Sequence, residues 1–401
     1  MLSKFLKPAH RSVATFLAFA IIPISGLATD IYIPSMPSMA SELNLPESSI
    51  QLTISIFLIS YGITQFFAGA LIDAFGRYKL STWSLLLFAI TFWITANTEN
   101  IYVIYAMRAF HGVLSGGVVV AKRTFFVDVY EGEERKHYLS IMTIVWSLGP
   151  IVAPFLGGFL QENYGWQANF LVLAVYCLLL FILEVFFSGE TLKTRSSFKP
   201  EFLVKEFSNM LKTPDFSIGI LMCGLSYGIV IFYSLTGPFI IEHTLDYSPM
   251  VTGYASLAMG IAWMCGGFAG RFLINKPFIP KLRLANFLQL FTIVTMLATS
   301  FMVANLASLL AFAFLVHLAA GFTFNNYFTY SLSRFPSSAG IASGLVGGVT
   351  FLVTSMLSYG LVALFQPSHQ LEIAAGYLVI GLICFAVLVV ARKKAFFASH
   401  T

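Results

Sequence analysis

Long apolar runs, separated by short connections rich in charge, Gly or Pro, set the pattern of this chain. A helix crossing a bilayer needs about 20 mostly apolar residues. Runs of that kind recur at 13–33, 50–72, 80–96, 101–121, 139–160, 167–187, 216–240, 250–273, 282–303, 306–329, 339–365 and 371–391. Twelve membrane-spanning helices are therefore predicted, several with the internal Gly and Pro that bundled membrane helices tolerate. One connection is long, 188–215, and it divides the spans six and six. Within it Pro200 opens a stretch that sets Leu203, Phe207, Met210 and Leu211 on one helical face and Lys199, Glu201, Lys205 and Glu206 on the other. A short helix lying on the membrane surface is expected there. The predicted fold class is an all-α membrane protein of two pseudo-symmetric six-helix bundles, residues 1–187 and 216–401, joined by a linker at 188–215. Two such halves are the layout of repeat-built carriers. The only internal echo is faint, Gly69 to Asp73 against Gly267 to Arg271.

Composition narrows the class. Of 401 residues 58% are hydrophobic and 10% charged, whereas a soluble domain carries about 25% charged residues. Such a chain could not cover its own surface in water, and disordered, disulfide-stapled and nucleic-acid-binding classes are excluded with it. The four cysteines (Cys177, Cys223, Cys265, Cys384) fall singly inside apolar runs and are expected to be small buried hydrophobes without metal or redox chemistry.

The net charge of +5 is distributed by topology rather than gathered in a patch. Lys4, Lys7 and Arg11 precede the first span. Every second connection then carries cations: Arg77 and Lys79; Lys122, Arg123, Arg135 and Lys136; Lys193, Arg195, Lys199, Lys205 and Lys212; Arg271, Lys276, Lys281 and Arg283; Arg334; and Arg392 to Lys394 at the tail. The alternate connections hold only acids, among them Glu42, Glu47, Glu99, Glu162, Glu242, Asp246 and Glu372. Under the positive-inside rule both termini are expected in the cytoplasm. The first run is read as a span and not a cleaved leader, because it continues through Asp30 into a Pro-rich turn without a small-residue cleavage site.

One cation escapes this segregation. Arg108 lies within the fourth span and Asp30 within the first, both about 12 Å in from the outer surface. Either charge alone in mid-membrane would cost about 3 kcal/mol or more, so they are expected to share a cavity or to pair. Burial and a nearby guanidinium act on a carboxyl's proton in opposite senses. Moving Arg108 relative to Asp30 would thus load and unload a proton, which makes the two candidate proton-coupling residues; a plain ion pair locking the two spans is the competing reading. His111 follows Arg108 by three residues on the same helix face. Glu184, near the inner end of the sixth span, is expected to reach the interface. Other polar or aromatic groups at interior depth are candidates to line a cargo cavity: Tyr32, Tyr61 and Gln65 in the first two spans, Tyr227 and Tyr233 in the seventh, and His317 and Asn325 in the tenth. Hydrogen bonding between helices would serve as well for each of them. No phosphate loop, no metalloprotease motif and no loop large enough for a nucleotide domain is present. Neither an ATP-driven pump nor an enzyme fits; no cofactor and no metal site is expected.

The run from Gly69 through Asp73, Gly76 and Arg77 to Lys79 resembles the signature that the major facilitator superfamily carries between its second and third spans, with Ala74 where an Arg is usual. The resemblance implies a cytoplasmic gate that latches the two halves, Gly69 permitting close helix approach, with Arg123 and Asp128 at the end of the fourth span contacting the latch. Arg108 to Gly112 is similar to the fourth-span signature, with His111 where Gln is usual; that family's matching arginine is associated with proton coupling. Gly149, Pro150, Pro154, Gly157 and Gly158 resemble the hinge helix of the antiporters. The stretch from Asp30 through Tyr32 and Pro34 to Pro37 is most similar to the Bcr/CflA family of bacterial drug:proton antiporters. What the resemblance implies is a monomeric inner-membrane secondary transporter, with protons and a small-molecule substrate as its partners and the lipid bilayer as its solvent. Drug-like cargo is the leading expectation, export of an endogenous metabolite such as a carboxylate siderophore the second, and proton-coupled uptake the third. A membrane sensor would need a larger cytoplasmic output domain, and an intramembrane enzyme a nucleophile–base pair.

Overall fold

The computed structural model describes residues 5–192, 195 and 200–393. Lys4, Lys193, Lys199 and Lys394 of the charge pattern lie outside these. The first span is built in pieces: α1 (Arg11–Ile21), α2 (Ile24–Asp30) and α3 (Met36–Glu42), with a 3₁₀ turn at Ile33–Ser35. Then follow α4 (Glu47–Phe75), α5 (Arg77–Ala96), α6 (Ile101–Val129), α7 (Gly132–Tyr164) and α8 (Gln167–Phe187). A short α9 (Pro200–Leu211) precedes α10 (Pro214–Phe239), α11 (Pro249–Phe272), α12 (Phe278–Thr299), α13 (Leu306–Ser333), α14 (Ala339–Phe365) and α15 (Gln370–Lys393). Twelve of these segments are long and apolar enough to cross a membrane.

Two expectations about local structure are corrected. The Pro-rich stretch after Asp30 does turn, at Ile31 and Tyr32, but then continues as buried helix, since Pro34 and Pro37 sit in first turns, where a missing N–H is harmless. Asp30 is thereby left well inside the protein. In α9, Leu203 and Met210 are buried and Phe207 stacks toward Phe66 at 5.7 Å, but Leu211 is exposed, its Cβ having turned past the contact face as the helix ends. Of the cysteines, Cys177, Cys223 and Cys384 are buried; Cys265 is exposed on α11.

The packing repeats itself. In the first half α4 lies on α6, α5 on α8 and α2 on α7; in the second, α11 lies on α13, α12 on α15 and α10 on α14. The halves join through α4 with α14 and α7 with α11, pairs that exchange under the same two-fold relation. Equivalent helices α6 and α13 even open alike, Asn100 and Asn305 each capping the backbone at 2.9 Å.

Contacts across the halves gather at the face opposite the termini. Gln51 Nε2 donates to the Leu235 carbonyl at 2.7 Å, His243 Nδ1 lies 3.0 Å from Glu47 Oε1, and Glu162 accepts from Ser248 and from the Met250 amide at 2.8 and 3.1 Å. Nearer the termini α4 still packs on α14 through Gln65 beside Gly344 and Phe66 beside Gly348, and no side-chain hydrogen bond joins the halves there among the described residues. The halves are tied most firmly at the face opposite the termini.

Candidate transport site

Asp30 sits where the first span is broken. Pro23 separates α1 from α2, and α2 ends at Asp30 itself, so the carboxyl is placed at a helix end in mid-span. It is 6% exposed, and Oδ2 has no hydrogen-bond partner among the described residues. Arg108 reaches toward it from α6 and is fully buried. Its Nη1 donates to the Ala28 carbonyl at 2.8 Å and Nε to the Thr53 carbonyl at 3.5 Å. The guanidinium lies between the rings of Tyr32 and Phe57, 4.6 and 4.7 Å from their centroids, and the Tyr32 hydroxyl is held by Thr53 Oγ1 at 2.6 Å. Desolvated cation–π contacts are worth about 2 kcal/mol, and with the two carbonyls they hold a buried cation without a counter-ion. Asp30 and Arg108 feel each other's charge but form no ion pair with each other, and Arg108 Nη2 has no hydrogen-bond partner among the described residues. The locking ion pair, one of the two readings of these residues, is therefore absent.

His111 goes elsewhere. Three residues on a helix turn a side chain by about 60°, enough to send Arg108 toward α2 and α4 and His111 toward α5. There it stacks on Phe92 at 4.1 Å and Phe88 at 5.9 Å, fully buried, with neither ring nitrogen hydrogen-bonded. The two are neighbours on one face of α6 but contact different helices.

Between the halves runs a chain of aromatic rings. Tyr61 stacks on Phe351 at 4.6 Å, Phe351 meets Tyr227 at 5.9 Å, Tyr227 meets Trp263 at 5.8 Å, and Trp263 meets Phe324 at 5.1 Å. Tyr227 is within electrostatic range of both Asp30 and Tyr61. Gln65 backs onto Gly344 and Gly347 of α14. Tyr233 and His317 form a separate buried group with Tyr377, with ring centroids 5.4 and 6.3 Å from that of His317. His317 Nδ1 donates to the Ala313 carbonyl at 2.8 Å; its Nε2 and both tyrosine hydroxyls lack partners. Asn325 and Asn326 lie against Gly270 of α11.

At the face carrying the termini, Arg77 is clamped between Asp73 at 3.1 Å and Asp128, and Asp128 also accepts from Thr191 Oγ1 at 2.8 Å. Gly76 makes the turn with φ of 97°, a conformation that favours glycine, and its open side faces Glu190. All these partners belong to the first half and the segment that follows α8, so the expected latch between halves is a clamp within one half. Lys79 is exposed, outside the clamp. Gly69, expected to bring helices together, has nothing within 4 Å of it among the described residues. The second half has a counterpart that the sequence did not reveal: Asp215 accepts from Arg334 Nε at 2.7 Å and from Tyr330.

Two further placements differ from expectation for one reason. Helix α6 spans 29 residues, about 43 Å at 1.5 Å each, so Lys122 and Arg123 belong to the bundle and not to a connection. Lys122 Nζ pairs with Glu184 Oε2 at 2.6 Å, and both are buried; Glu184 does not reach the interface. Arg123 turns inward beside Ile22, Val119, Met142 and Trp146, not toward the Arg77 clamp.

Helix α7 carries Pro150 and Pro154 inside an unbroken run, each removing one backbone hydrogen bond. It is closely packed on both sides. Gly149 lies against Pro23, Gly157 against the Ile31 carbonyl, and Pro150 against Gly26; on the opposite side Gly158 meets Pro249 and Gly253 of α11. These small residues let α7 pack closely between its two neighbours.

The comparisons with known proteins agree with this architecture. The family model "Major Facilitator Superfamily" matches residues 18–358. Multidrug resistance protein D of Escherichia coli (strain K12) is 28% identical over 351 residues, covering 84% of this chain and 85% of its own. A bicyclomycin resistance protein homolog of Haemophilus influenzae is 24% identical over 356 residues, 86% and 87% of the two chains. Among solved structures, a bacterial homolog of the human lysosomal transporter Spinster, in an inward-facing and unoccupied conformation, superposes with a TM-score of 0.70 at 12% identity, covering 98% of each chain. With twelve apolar helices, a carboxyl and a guanidinium buried unpaired at mid-span, and a family model that matches most of its length, the chain is a member of the Major Facilitator Superfamily, a multi-pass membrane transporter and not an enzyme.

Proposed function

We propose that this transporter exports small, lipophilic, drug-like molecules across the bacterial inner membrane in exchange for protons, by alternating access and as a monomer. The observation that carries this reading is Asp30: buried at a helix break, without a hydrogen bond on Oδ2, close to Arg108 yet unpaired with it, and in range of the aromatic chain between the halves. A carboxyl so placed gains or loses a proton as Arg108 or cargo approaches. The aromatic chain supplies the apolar, adaptable surface that drug-like cargo requires. Alternating access is supported by the face at which the halves are tied together and by the doubly packed α7. The moving bodies are residues 1–187 and 216–401, with 188–215 as their tether, and the cation-rich face with both termini lies in the cytoplasm. The face at which the halves are tied together is then the outer one.

Everted vesicles energised to an acid interior test this. Dyes, phenicols, fluoroquinolones and citrate-type siderophores are added while lumenal pH is followed by fluorescence quenching. Proton release on adding one compound, absent in Asp30→Asn, is the expected result. Undiminished release in that variant removes Asp30 from the mechanism, and a response confined to the siderophores moves the cargo to an endogenous metabolite, the second reading.

A further inference from the structure

The cations inside the membrane-spanning bundle are nearly all accounted for. Arg108 has two carbonyls and two rings, Lys122 has Glu184, and Arg77 has two carboxylates. Arg123 differs. It is half-buried, and among the described residues no hydrogen bond, ion pair or ring contact engages its guanidinium. It lines a small cleft between α1, α6 and α7, and its charge reaches Tyr61, the first ring of the aromatic chain. A guanidinium presents five N–H donors in a planar fork that matches a carboxylate. Leaving it unanswered near the membrane interior costs free energy unless another molecule answers it.

From this placement we infer that Arg123 is a cargo-binding residue, receiving the carboxylate or other planar anionic group of an aromatic acid whose ring system lies along Tyr61 and Phe351. The inference deepens the proposed function, on which it rests, by naming the cargo class: amphipathic aromatic acids and zwitterions rather than simple cations. Asp30 is in electrostatic range of Tyr227, the third ring of the same chain, so a zwitterion lying along Tyr61, Phe351 and Tyr227 would have a charged partner for each of its groups.

Dansylglycine and its methyl ester form a matched probe pair, identical in aromatic body and differing in one charge. Binding to the purified full-length protein in detergent is read by dansyl fluorescence, and flux by the same probes in proteoliposomes. Wild type is expected to bind the acid at least about tenfold more tightly than the ester. Arg123→Gln is expected to erase that preference by weakening the acid alone, and Arg123→Lys to restore most of it, the Lys serving as a point charge. Equal weakening of acid and ester in Arg123→Gln, no change in either, or a wild type that binds neither or favours the ester overturns the inference. An Arg123→Gln protein that no longer elutes as a single species is replaced by Arg123→Lys and Arg123→Met, judged on the acid-to-ester ratio. Failure of transport is separable: a wild type that binds the acid through Arg123 but moves no probe under a pH gradient keeps the site and removes the antiport reading.

Discussion

The two halves share one packing plan but not one chemistry. The first half buries Asp30, Arg108, the Lys122–Glu184 pair and the inward-turned Arg123. The interior of the second offers neutral polar groups: the Tyr233, His317 and Tyr377 cluster, Asn286 on the Gly381 carbonyl at 3.4 Å, and Gln289 on the Val316 carbonyl at 3.2 Å. Its charged pair, Asp215 with Arg334, lies at the face with the termini. Pseudo-symmetry of backbone packing needs only matching shapes. Buried charge is costly and is kept where it acts. The contrast teaches that a shared backbone plan does not impose a shared interior chemistry; on the proposed reading the first half would handle the proton, while the second contributes shape, aromatic surface and hydrogen bonds.

The largest effect that would break this contrast concerns Asp30. Asp30→Asn is expected to abolish pH-driven flux, whereas His317→Gln leaves it coupled; a His317→Gln protein that also uncouples, measured by the same vesicle assay, would falsify the division of labour. Next comes the buried pair. Removing one partner of such a pair costs about 3–5 kcal/mol, while replacing both with apolar residues is close to neutral. Glu184→Gln or Lys122→Met alone should therefore lower the thermal transition of the detergent-purified protein sharply. The double variant Lys122→Met with Glu184→Leu should recover it; equal losses in all three would mean that the charges themselves serve transport or folding. A crowding test on the hinge is smaller. Gly157→Ala pushes a methyl into the Ile31 carbonyl and is expected to cost about 1–3 kcal/mol of stability and to slow flux, whereas Gly69→Ala, with open space beside it, changes neither.

Smaller still is the effect on cargo from the second half. His317 hydrogen-bonds within its own helix, to the Ala313 carbonyl, and polar contacts inside membranes average only about 0.6 kcal/mol, so His317→Gln should change cargo affinity by no more than about threefold without moving the pH profile. The smallest belongs to the face opposite the termini. Glu47 and His243 are each nearly half exposed, and an exposed pair contributes about 0.2–1 kcal/mol. Glu47→Gln should raise the population open at that face only a few-fold, seen as faster labelling of a cysteine placed beside Gln51.

Several features of the first half were legible as soon as the sequence was scanned. Asp30 and Arg108 stood out because each interrupts an apolar run, and the Arg77 turn because Gly76 and its acids mark a helix end. Other features were not. Lys122 and Arg123 looked cytoplasmic because hydropathy stops counting where cations begin, although the helix runs eight residues further than the apolar span predicted. The Pro-rich stretch looked like a turn because Pro breaks helices in their interiors, and only the kinked packing of α2 and α3 gives each Pro a first-turn position. His111 looked like a companion of Arg108, since helical spacing reports the angle between side chains but not which neighbour lies at each angle.

The sequence by itself determined the number of spans, their six-plus-six division and the segregation of cations to alternate connections. These follow from the free energy of moving single residues between water and lipid, a sum over local terms. The tertiary structure decided which buried charges find partners: Lys122 does, across to α8; Asp30 and Arg108 do not pair, although both were read as neighbours; and Arg123 faces a cleft with none. Partnership depends on azimuth and on the approach of helices remote in the chain, and a difference of one helical turn changes the neighbour entirely. Cost of burial is written residue by residue, but its compensation exists only between packed helices.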